Sequence, residues 1–546
     1  MKRIRLILTM IIVVTCSMLL CSCSKLDEGK GSMLAESTTD ATTIIAEQVT
    51  ETSTVAKEPV EDNLTKISTT TKLVFNGGKF EGWGTGIAWW GNRLGYSDVL
   101  TEEAIKLFFD EETGLGMNIV RYNIPGGDDP THTHITRTDT KLQGFTYYNE
   151  ETEEYEFDKT ADANQRNVLL KIKEFCGDRL IAEAYSCSPP YYMTESGCTS
   201  GSDKGVTNNL KDEYYDDYAA YIAEVLSVYK EEYGVIFDSV SAASEPASNA
   251  LIGLRAPHEG CNFVLYSSLR DFYSGFVAAL NDKKLVDNTD ISIDIRRSGD
   301  SRVFCADLMD NILRINVHMD NSLAEPYSEN AEFINIYGKY AKKNVWISES
   351  DSNLKHSKCT GEMGAALYFA NKIISDMGGL MPAAWMIENA IDYHICAEGY
   401  QGNQDTGMPD TTQGYWGLAV ADHDNEKIIL TKKYYAYGQF SRYIRPGYTI
   451  FADSNDDVLV TYSPDEKKLV IVAVNNAETE TELKISLEAF EYDGGMAKVI
   501  RTSGELEGGE NWAELPDVEV GMDMFETELK GYSITTFIID GVEIKK

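Results

Sequence analysis

The sequence predicts an α/β fold: a (β/α)8 TIM barrel followed by a C-terminal antiparallel β-sandwich. Three observations predict it. Between Phe80 and Arg445, eight short apolar runs alternate with helix-like stretches. From about Gly447 the chain turns strand-rich, with Asn- and Gly-containing turns and little helix. At 546 residues the chain is too long for one ordinary core, so a large unit and a smaller one are expected.

The first 22 residues read as a leader outside the fold. Lys2, Arg3 and Arg5 precede an uncharged apolar run from Leu6 to Leu20, which is short for a membrane span of roughly 20 residues and fits a signal-peptide core. Leu20-Cys21-Ser22-Cys23 then resembles a bacterial lipobox, with Cys23 as the lipid-attachment residue and Cys21 as a competitor. From Ser24 to Val74 there is no aromatic residue, and Thr, Ser, Glu and Asp dominate. Residues 23–66 are therefore expected to be a disordered tether that holds the folded part outside the cell as a membrane-anchored lipoprotein.

Residues 67–80 are expected to contribute a strand to the sandwich, residues 81–446 to form the barrel and residues 447–546 the sandwich. The eight candidate barrel strands are Trp83–Trp89, Asn118–Tyr122, Leu180–Tyr185, Phe237–Ser241, Ile291–Ile295, Arg314–Val317, Val345–Ser348 and Ala383–Ile387. Helices are expected over Thr101–Glu111, Ala163–Phe175, Asp212–Tyr233, Asn262–Asn281 and Gly361–Met377. The clearest is Asp212–Tyr233, where Tyr215, Tyr218, Ile222, Val225, Leu226 and Tyr229 recur at helical spacing and read as core. In the tail, Val458–Tyr462, Leu469–Val474, Glu482–Leu487, Ala497–Ile500 and Tyr532–Ile539 read as sandwich strands.

Composition narrows the partners. Hydrophobic residues make up 43% and aromatics 10%, as in a globular chain, and the formal net charge is −38. Such a surface repels nucleic acid and anionic headgroups and suits a neutral substrate, so the only membrane contact expected is the lipid anchor. Of ten cysteines, three lie in the leader and lipobox, leaving seven in the body. They show no CxxC or Cys/His metal spacing, and only Cys187 and Cys198 suggest a pair across a loop.

In a (β/α)8 barrel, chemistry sits where strands end and loops begin. The fourth candidate strand leads to Ser244-Glu245-Pro246, and the seventh ends in Trp346-Ile-Ser-Glu349. Cleaving a glycosidic bond needs a proton donor for the leaving oxygen and a nucleophile for the anomeric carbon, and two carboxyls about 5–5.5 Å apart retain configuration. Among 87 acidic residues a Glu after a strand is common, so the pair gains its weight from its neighbours. Arg121, after the second strand, could keep a nucleophile ionised, and Asn316-Val-His318 could donate hydrogen bonds. Trp83, Trp89, Trp90, Tyr191, Tyr192, Trp385 and Trp416 lie near strand ends or in long loops. Any one of them alone reads as core; together they favour sugar faces, which stack on aromatic rings.

Several short motifs recur in a fixed order: Gly82-Trp-Gly-Thr85 with Trp89-Trp90, Arg121-Tyr-Asn-Ile124, Ser188-Pro-Pro-Tyr-Tyr-Met193, Glu245-Pro246, Glu259-Gly-Cys261, Asn316-Val-His318, Trp346-Ile-Ser-Glu349, and Tyr435-Ala-Tyr-Gly-Gln-Phe-Ser-Arg-Tyr-Ile-Arg-Pro-Gly447. In these the chain resembles glycoside hydrolase family 30, endo-β-1,6-galactanase-like branch, from about Phe75 onward. The resemblance implies retaining chemistry with Glu245 as acid/base, Glu349 as nucleophile, and no metal or organic cofactor. Asn123 joins the aromatic residues, Arg121, Ser244 and His318 as implied substrate contacts. The chain departs from the family pattern at four places. Ser244 stands where Asn is usual before the acid/base, Cys187 where Asn is usual in Ser-Asn-Ser-Pro-Pro, Met319 follows His318, and Glu388 interrupts the eighth-strand ending.

The leading expectation is an extracellular retaining β-glycosidase acting on a poly- or oligosaccharide, with endo-β-1,6-galactanase as its first version. A β-1,6-glucanase, a xylanase, an exo-acting glycosidase and a non-catalytic glycan-binding protein are the alternatives.

Overall fold

The structure is a computed structural model that describes residues 64–74, 78–246, 253–264, 266–295, 311–319, 342–350, 362–400, 403–405 and 417–545. The expected signal peptide, Cys23 and nearly all of the tether lie outside the described residues, as does Trp416. Eight parallel strands close into a barrel: β1 Gly82–Gly86, β2 Ile119–Asn123, β3 Ile181–Tyr185, β4 Ser239–Ser241, β5 Asp290–Ile295, β6 Ile312–Met319, β7 Asn344–Ser350 and β8 Ala384–Asn389. Each expected run overlaps one of them. The first is shorter than expected, because the chain turns at Ile87 into helix α1, Ala88–Leu94, and takes Trp89 and Trp90 with it. Glycine is needed in β1 for close approach. A Cβ at Gly84 would lie 2.4 Å from the Ile119 carbonyl oxygen on β2.

Around the barrel run α2 (Asp98–Phe109), α3 (Ala163–Cys176), α4 (Tyr215–Glu232), α5 (Tyr266–Asp282), α6 (Met363–Leu380) and α7 (Lys432–Ser441). On α4 the residues Tyr218, Ile222, Val225, Leu226 and Tyr229 are all buried, so the helical spacing read in the sequence is the face turned to the barrel.

The tail builds a seven-stranded antiparallel sheet in the order Ile67–Lys72, Thr449–Asp453, Val458–Ser463, Lys468–Asn475, Ser533–Asp540, Gly495–Ser503, Glu510–Val520. A three-stranded sheet of Leu64–Thr65, Thr481–Ser486 and Met524–Leu529 accompanies it. Its central strands are apolar on both faces for a physical reason. Leu459, Val470, Val472 and Ile534 join the barrel-side core, whereas Val460, Ile471 and Phe537 join a second core within the sandwich. Helix α7 joins the barrel to the sandwich strands. Its Gln439 amide donates to Thr502 at 2.8 Å, and Trp512 Nε1 donates to the Tyr435 carbonyl at 2.7 Å. The edge strand Glu510–Val520 was not among the expected strands: most of it is only half-buried, it contains Pro516 and its sequence lacks alternation.

One buried acid gives the fold a pH signature. Asp162 begins α3 at φ 53° and accepts the Tyr122 hydroxyl at 2.5 Å and the Gln165 amide at 2.6 Å. Burial pushes its carboxyl up from 3.8 to about 7, and Tyr122 and Gln165 only partly offset this. Between those values the folded protein holds a proton that the unfolded chain releases. Stability from this group is therefore complete below the lower value and is lost as pH rises toward the upper one. Asp162→Asn is expected to flatten the fall in Tm across that window, with a difference of up to about 4 kcal/mol at its alkaline end. Thermal unfolding of both proteins across the window measures it.

Candidate active site

The barrel interior is charged, and its charges are paired. Arg121 on β2 is fully buried and reaches three carboxylates: Nε donates to Glu183 at 2.8 Å, Nη2 to Asp294 at 2.7 Å and Nη1 to Glu349 at 2.6 Å. Its guanidinium lies 4.2 Å from the centre of the Tyr185 ring. Asn316 donates its amide to both Glu183 (2.7 Å) and Asp294 (2.8 Å). Ser239 and Ser292 donate to Glu183 at 2.8 Å each, and Arg314 closes the set against the same carboxylate. Residues 292 and 294, and 314, 316 and 318, share a face because side chains on a strand alternate. Burial alone would raise the Glu183 and Asp294 carboxyls. Arg314 and Arg121 hold Glu183 below its ordinary value, and Arg121, His318 and Asn316 hold Asp294 well below its own.

On this floor sit Glu349, near the end of β7, and Glu245, four residues past β4. Both are partly open to the barrel mouth, at 17% and 26% side-chain exposure. His318 lies between them: Nδ1 is 2.9 Å from Glu245 Oε1 and 3.1 Å from Glu349 Oε2, and Nε2 is 3.2 Å from Asp294. A carboxylate oxygen of Glu245 and one of Glu349 lie within 4.8 Å of each other. Burial would lower the His318 pKa, but Glu349, Asp294 and Glu245 raise it well above the ordinary imidazole value. His318 is thus a cation that donates from both ring nitrogens. Burial raises the Glu349 carboxyl, with His318 and Arg121 pulling it down and the Glu245 charge pushing it up. Three cations (Arg121, Arg314, His318) face four carboxyls (Glu183, Asp294, Glu349, Glu245), so one proton among the carboxyls leaves the set neutral. Glu245 also has φ 44°, a left-handed conformation that costs about 1–3 kcal/mol for a residue with a side chain.

The walls come from the loops. Ser244 is buried and donates its backbone N–H to the Ser186 carbonyl at 2.9 Å. Asn123 is buried as well, with its side-chain oxygen on the Cys187 N–H at 3.3 Å and its amide 3.5 Å from Glu259. Glu259 accepts the Gly127 N–H at 2.9 Å, and burial pushes its carboxyl up to about 8. Met319 packs half-buried against the barrel core, and Glu388 is half-buried on β8. Trp89 is half-buried at the mouth, 5.5 Å from the His258 ring and 5.1 Å from the Arg137 guanidinium. Residues between Gly127 and Asp158, with Tyr191 from the loop after β3, also enclose a groove of about 960 Å3 lined by Tyr147, Tyr148, Tyr155 and Tyr191, and neither Glu245 nor Glu349 lines it. Tyr192 stacks on Tyr155 at 3.5 Å and backs that wall.

Three tryptophans expected at the substrate lie in the core instead. Trp83 is fully buried between barrel and α7, 5.5 Å from Tyr437, with Nε1 donating to the Ile444 carbonyl at 2.7 Å. Trp90 is fully buried 6.2 Å from Phe108, and its Nε1 donates to the Gly86 carbonyl. Trp385 is fully buried 5.7 Å from Phe369 of α6, and its Nε1 donates to Asp376 at 2.8 Å. Trp385→Phe is therefore expected to cost about 2–4 kcal/mol of stability through the lost bond and cavity, with KM unchanged. Chemical denaturation alongside steady-state kinetics separates this from a sugar platform, whose loss would raise KM and spare stability. Cys187 and Cys198 are both free thiols, against the pairing the sequence suggested. Cys198 is buried against the Ser196 hydroxyl at 3.4 Å. The Cys187 thiol sits by the site, pushed well up by burial and by the Glu349 and Glu259 charges.

The O-Glycosyl hydrolase family 30 model matches residues 108–292. An endo-β-1,6-galactanase from Hypocrea rufa is 25% identical over 495 residues, which cover 86% of this chain and 94% of that protein. These two matches support glycoside hydrolase family 30 for this chain. Family members of known structure share its fold. Xylanase C from Talaromyces cellulolyticus superposes with a TM-score of 0.61 at 16% identity, over 88% of this chain and all 100% of that one. The subfamily 8 xylanase from Clostridium acetobutylicum gives 0.58 at 18%, over 88% and 100%. A glycosidase of this family takes a saccharide substrate, and here the paired carboxyls stand partly exposed at the barrel mouth.

Several residues near this site escaped the sequence reading: Glu183, Asp294 and Arg314, and the groove residues Tyr147, Tyr148 and Tyr155. The first three carry a signal. Each is a charge inside an apolar strand that is buried on both faces.

Proposed function

We propose that the protein is an extracellular, lipid-anchored retaining glycosidase that cleaves β-1,6-linked galactan internally by double displacement. The observation that carries the mechanism is the pair of carboxylate oxygens of Glu245 and Glu349 within 4.8 Å. Retaining glycosidases hold their carboxyls about 5–5.5 Å apart, whereas inverting ones need about 6.5–9.5 Å to admit a water. Arg121 fixes Glu349 Oε1, leaving Oε2 to attack the anomeric carbon while the Glu245 acid protonates the departing oxygen. The product is a glycosyl ester on Glu349 and a free alcohol. Glu245, now a carboxylate, takes a proton from water as that water displaces Glu349, which restores both groups. His318 donates to whichever carboxylate carries the charge.

The galactan assignment is supported by the Hypocrea rufa relative, and internal cleavage by the open, tyrosine-lined groove. Tyr155→Ala is expected to raise KM roughly tenfold on long substrates with kcat little changed, since a lost stacking surface is worth about 1–1.5 kcal/mol. A substrate-length series checks it. Incubating the form that starts after Cys23 with β-1,6-galactan, β-glucan and xylan, beside Glu349→Ala, tests the whole reading. Galactan cleavage by the parent protein alone supports it. Cleavage of another glycan removes the galactanase assignment, and glycan binding by both proteins without cleavage removes the enzyme.

A further inference from the structure

The loop that follows β2 carries three side chains that the glycosidase chemistry leaves unused: Asp128, His132 and His134. Asp128 Oδ1 accepts the Thr199 N–H at 3.0 Å, which turns Oδ2 toward two imidazoles. That oxygen lies 3.1 Å from His132 Nδ1 and 3.6 Å from His134 Nδ1. The His134 side chain is only 9% exposed. Its Nε2 meets the Ser200 hydroxyl at 2.9 Å, while its Nδ1 is buried with no hydrogen-bond partner. Leaving a buried polar atom unsatisfied is costly, and native structures do it rarely. Here the orphaned nitrogen faces a carboxylate oxygen beyond hydrogen-bonding distance.

A cation between them removes the conflict. All three ligand atoms lie within 4.8 Å of one another. Tetrahedral zinc with bonds of about 2.0–2.2 Å holds its ligand atoms roughly 3.3–3.5 Å apart, which the 3.1 and 3.6 Å spacings bracket. Two imidazoles and one carboxylate favour zinc-class ions over the all-oxygen preference of calcium or magnesium. The outer contacts are also in place. Ser200 can accept the Nε2 proton, which leaves Nδ1 of His134 free to ligate, and Thr199 fixes the carboxylate. A cavity of about 50 Å3 bordered by Asp128, His132 and Glu259 has room for a water as fourth ligand.

We propose that Asp128, His132 and His134 form a structural site for a divalent metal of the zinc class. The ion ties the loop after β2 to Thr199 and Ser200 in the loop after β3. Gly260 joins the same knot through its N–H on the Thr199 carbonyl at 2.7 Å. Because Gly127, Asp128 and Thr131 also line the tyrosine groove, the ion would hold one wall of that groove in shape.

The test strips the intact protein with a chelator and titrates it with Zn(II) against a coloured competitor, while Co(II) loading is read by visible absorption. One equivalent of tightly held zinc, a tetrahedral Co(II) spectrum and a rise in Tm on loading are expected. All three should be lost in His134→Ala and in His132→Ala/His134→Ala. No competed zinc and no tetrahedral Co(II) signal in the unmutated protein would overturn the site, whatever the variants do. Full binding retained by the double variant would also overturn it, by placing the ion elsewhere.

Discussion

Glu349→Ala is expected to lose turnover by about 10^4-fold or more and to regain part of it in azide. The truncated side chain leaves room beside the anomeric carbon, on the face where Glu349 Oε2 stands, for a small anion to attack in its place. Attack from that face inverts the centre once, so the product should be the α-glycosyl azide. Glu245→Ala should behave differently. The first displacement still proceeds on substrates with good leaving groups, and azide then displaces the ester to give the β-glycosyl azide. The two products assign the roles separately, which a simple loss of activity cannot do. Product stereochemistry by NMR is the measurement. The same anomer from both variants would contradict the assignment of Glu349 as nucleophile and Glu245 as acid/base.

Arg121→Lys is expected to produce the second large effect. The guanidinium serves Glu183, Asp294 and Glu349 at 2.6–2.8 Å, and all of these contacts are fully or largely buried. An ammonium keeps the charge but cannot present three directed donors in one plane. Breaking a buried ion pair costs about 3–5 kcal/mol because a charge is left without its partner. Activity should suffer separately from stability. With Arg121 gone, less opposes the burial and the Glu245 charge that raise the Glu349 carboxyl. Ionising the nucleophile then requires a higher pH, so the acid limb of kcat/KM moves up. Denaturant unfolding and a pH–rate profile on the folded fraction measure both. An acid limb that stays in place while stability falls would make Arg121 a scaffold residue alone.

The two units were legible because each follows a simple rule. Strands such as Ile119–Asn123 and Ala384–Asn389 are buried on both faces and read as short, mainly apolar runs, separated by helices with regular spacing. Glu349 and His318 were legible because each closes such a run. The tryptophans misled because nearness to a strand end does not decide which face a side chain takes. On β8, Trp385 lies in the regular part of the strand and Glu388 at a register irregularity near its end. Trp385 turns out to Phe369 on α6, whereas Glu388 is half-buried and near enough to Tyr185 for its charge to add to the rise in that hydroxyl's pKa, which burial dominates. Trp90 was lost for another reason, since the turn at Ile87 begins a helix that carries it away from the mouth. Asp128, His132 and His134 were passed over because a His-x-His step looks like loop composition until a third ligand folds onto it.

The most direct measurement of the central claim is the anomeric configuration of the first product. Proton NMR can follow hydrolysis of a β-1,6-linked galacto-oligosaccharide, or of whichever β-glycan the protein cleaves, from the earliest seconds. The β anomer should appear first and the α anomer only later by mutarotation, as double displacement through Glu349 requires. Immediate appearance of the α anomer would mean single displacement, and would contradict the roles assigned here to Glu245 and Glu349.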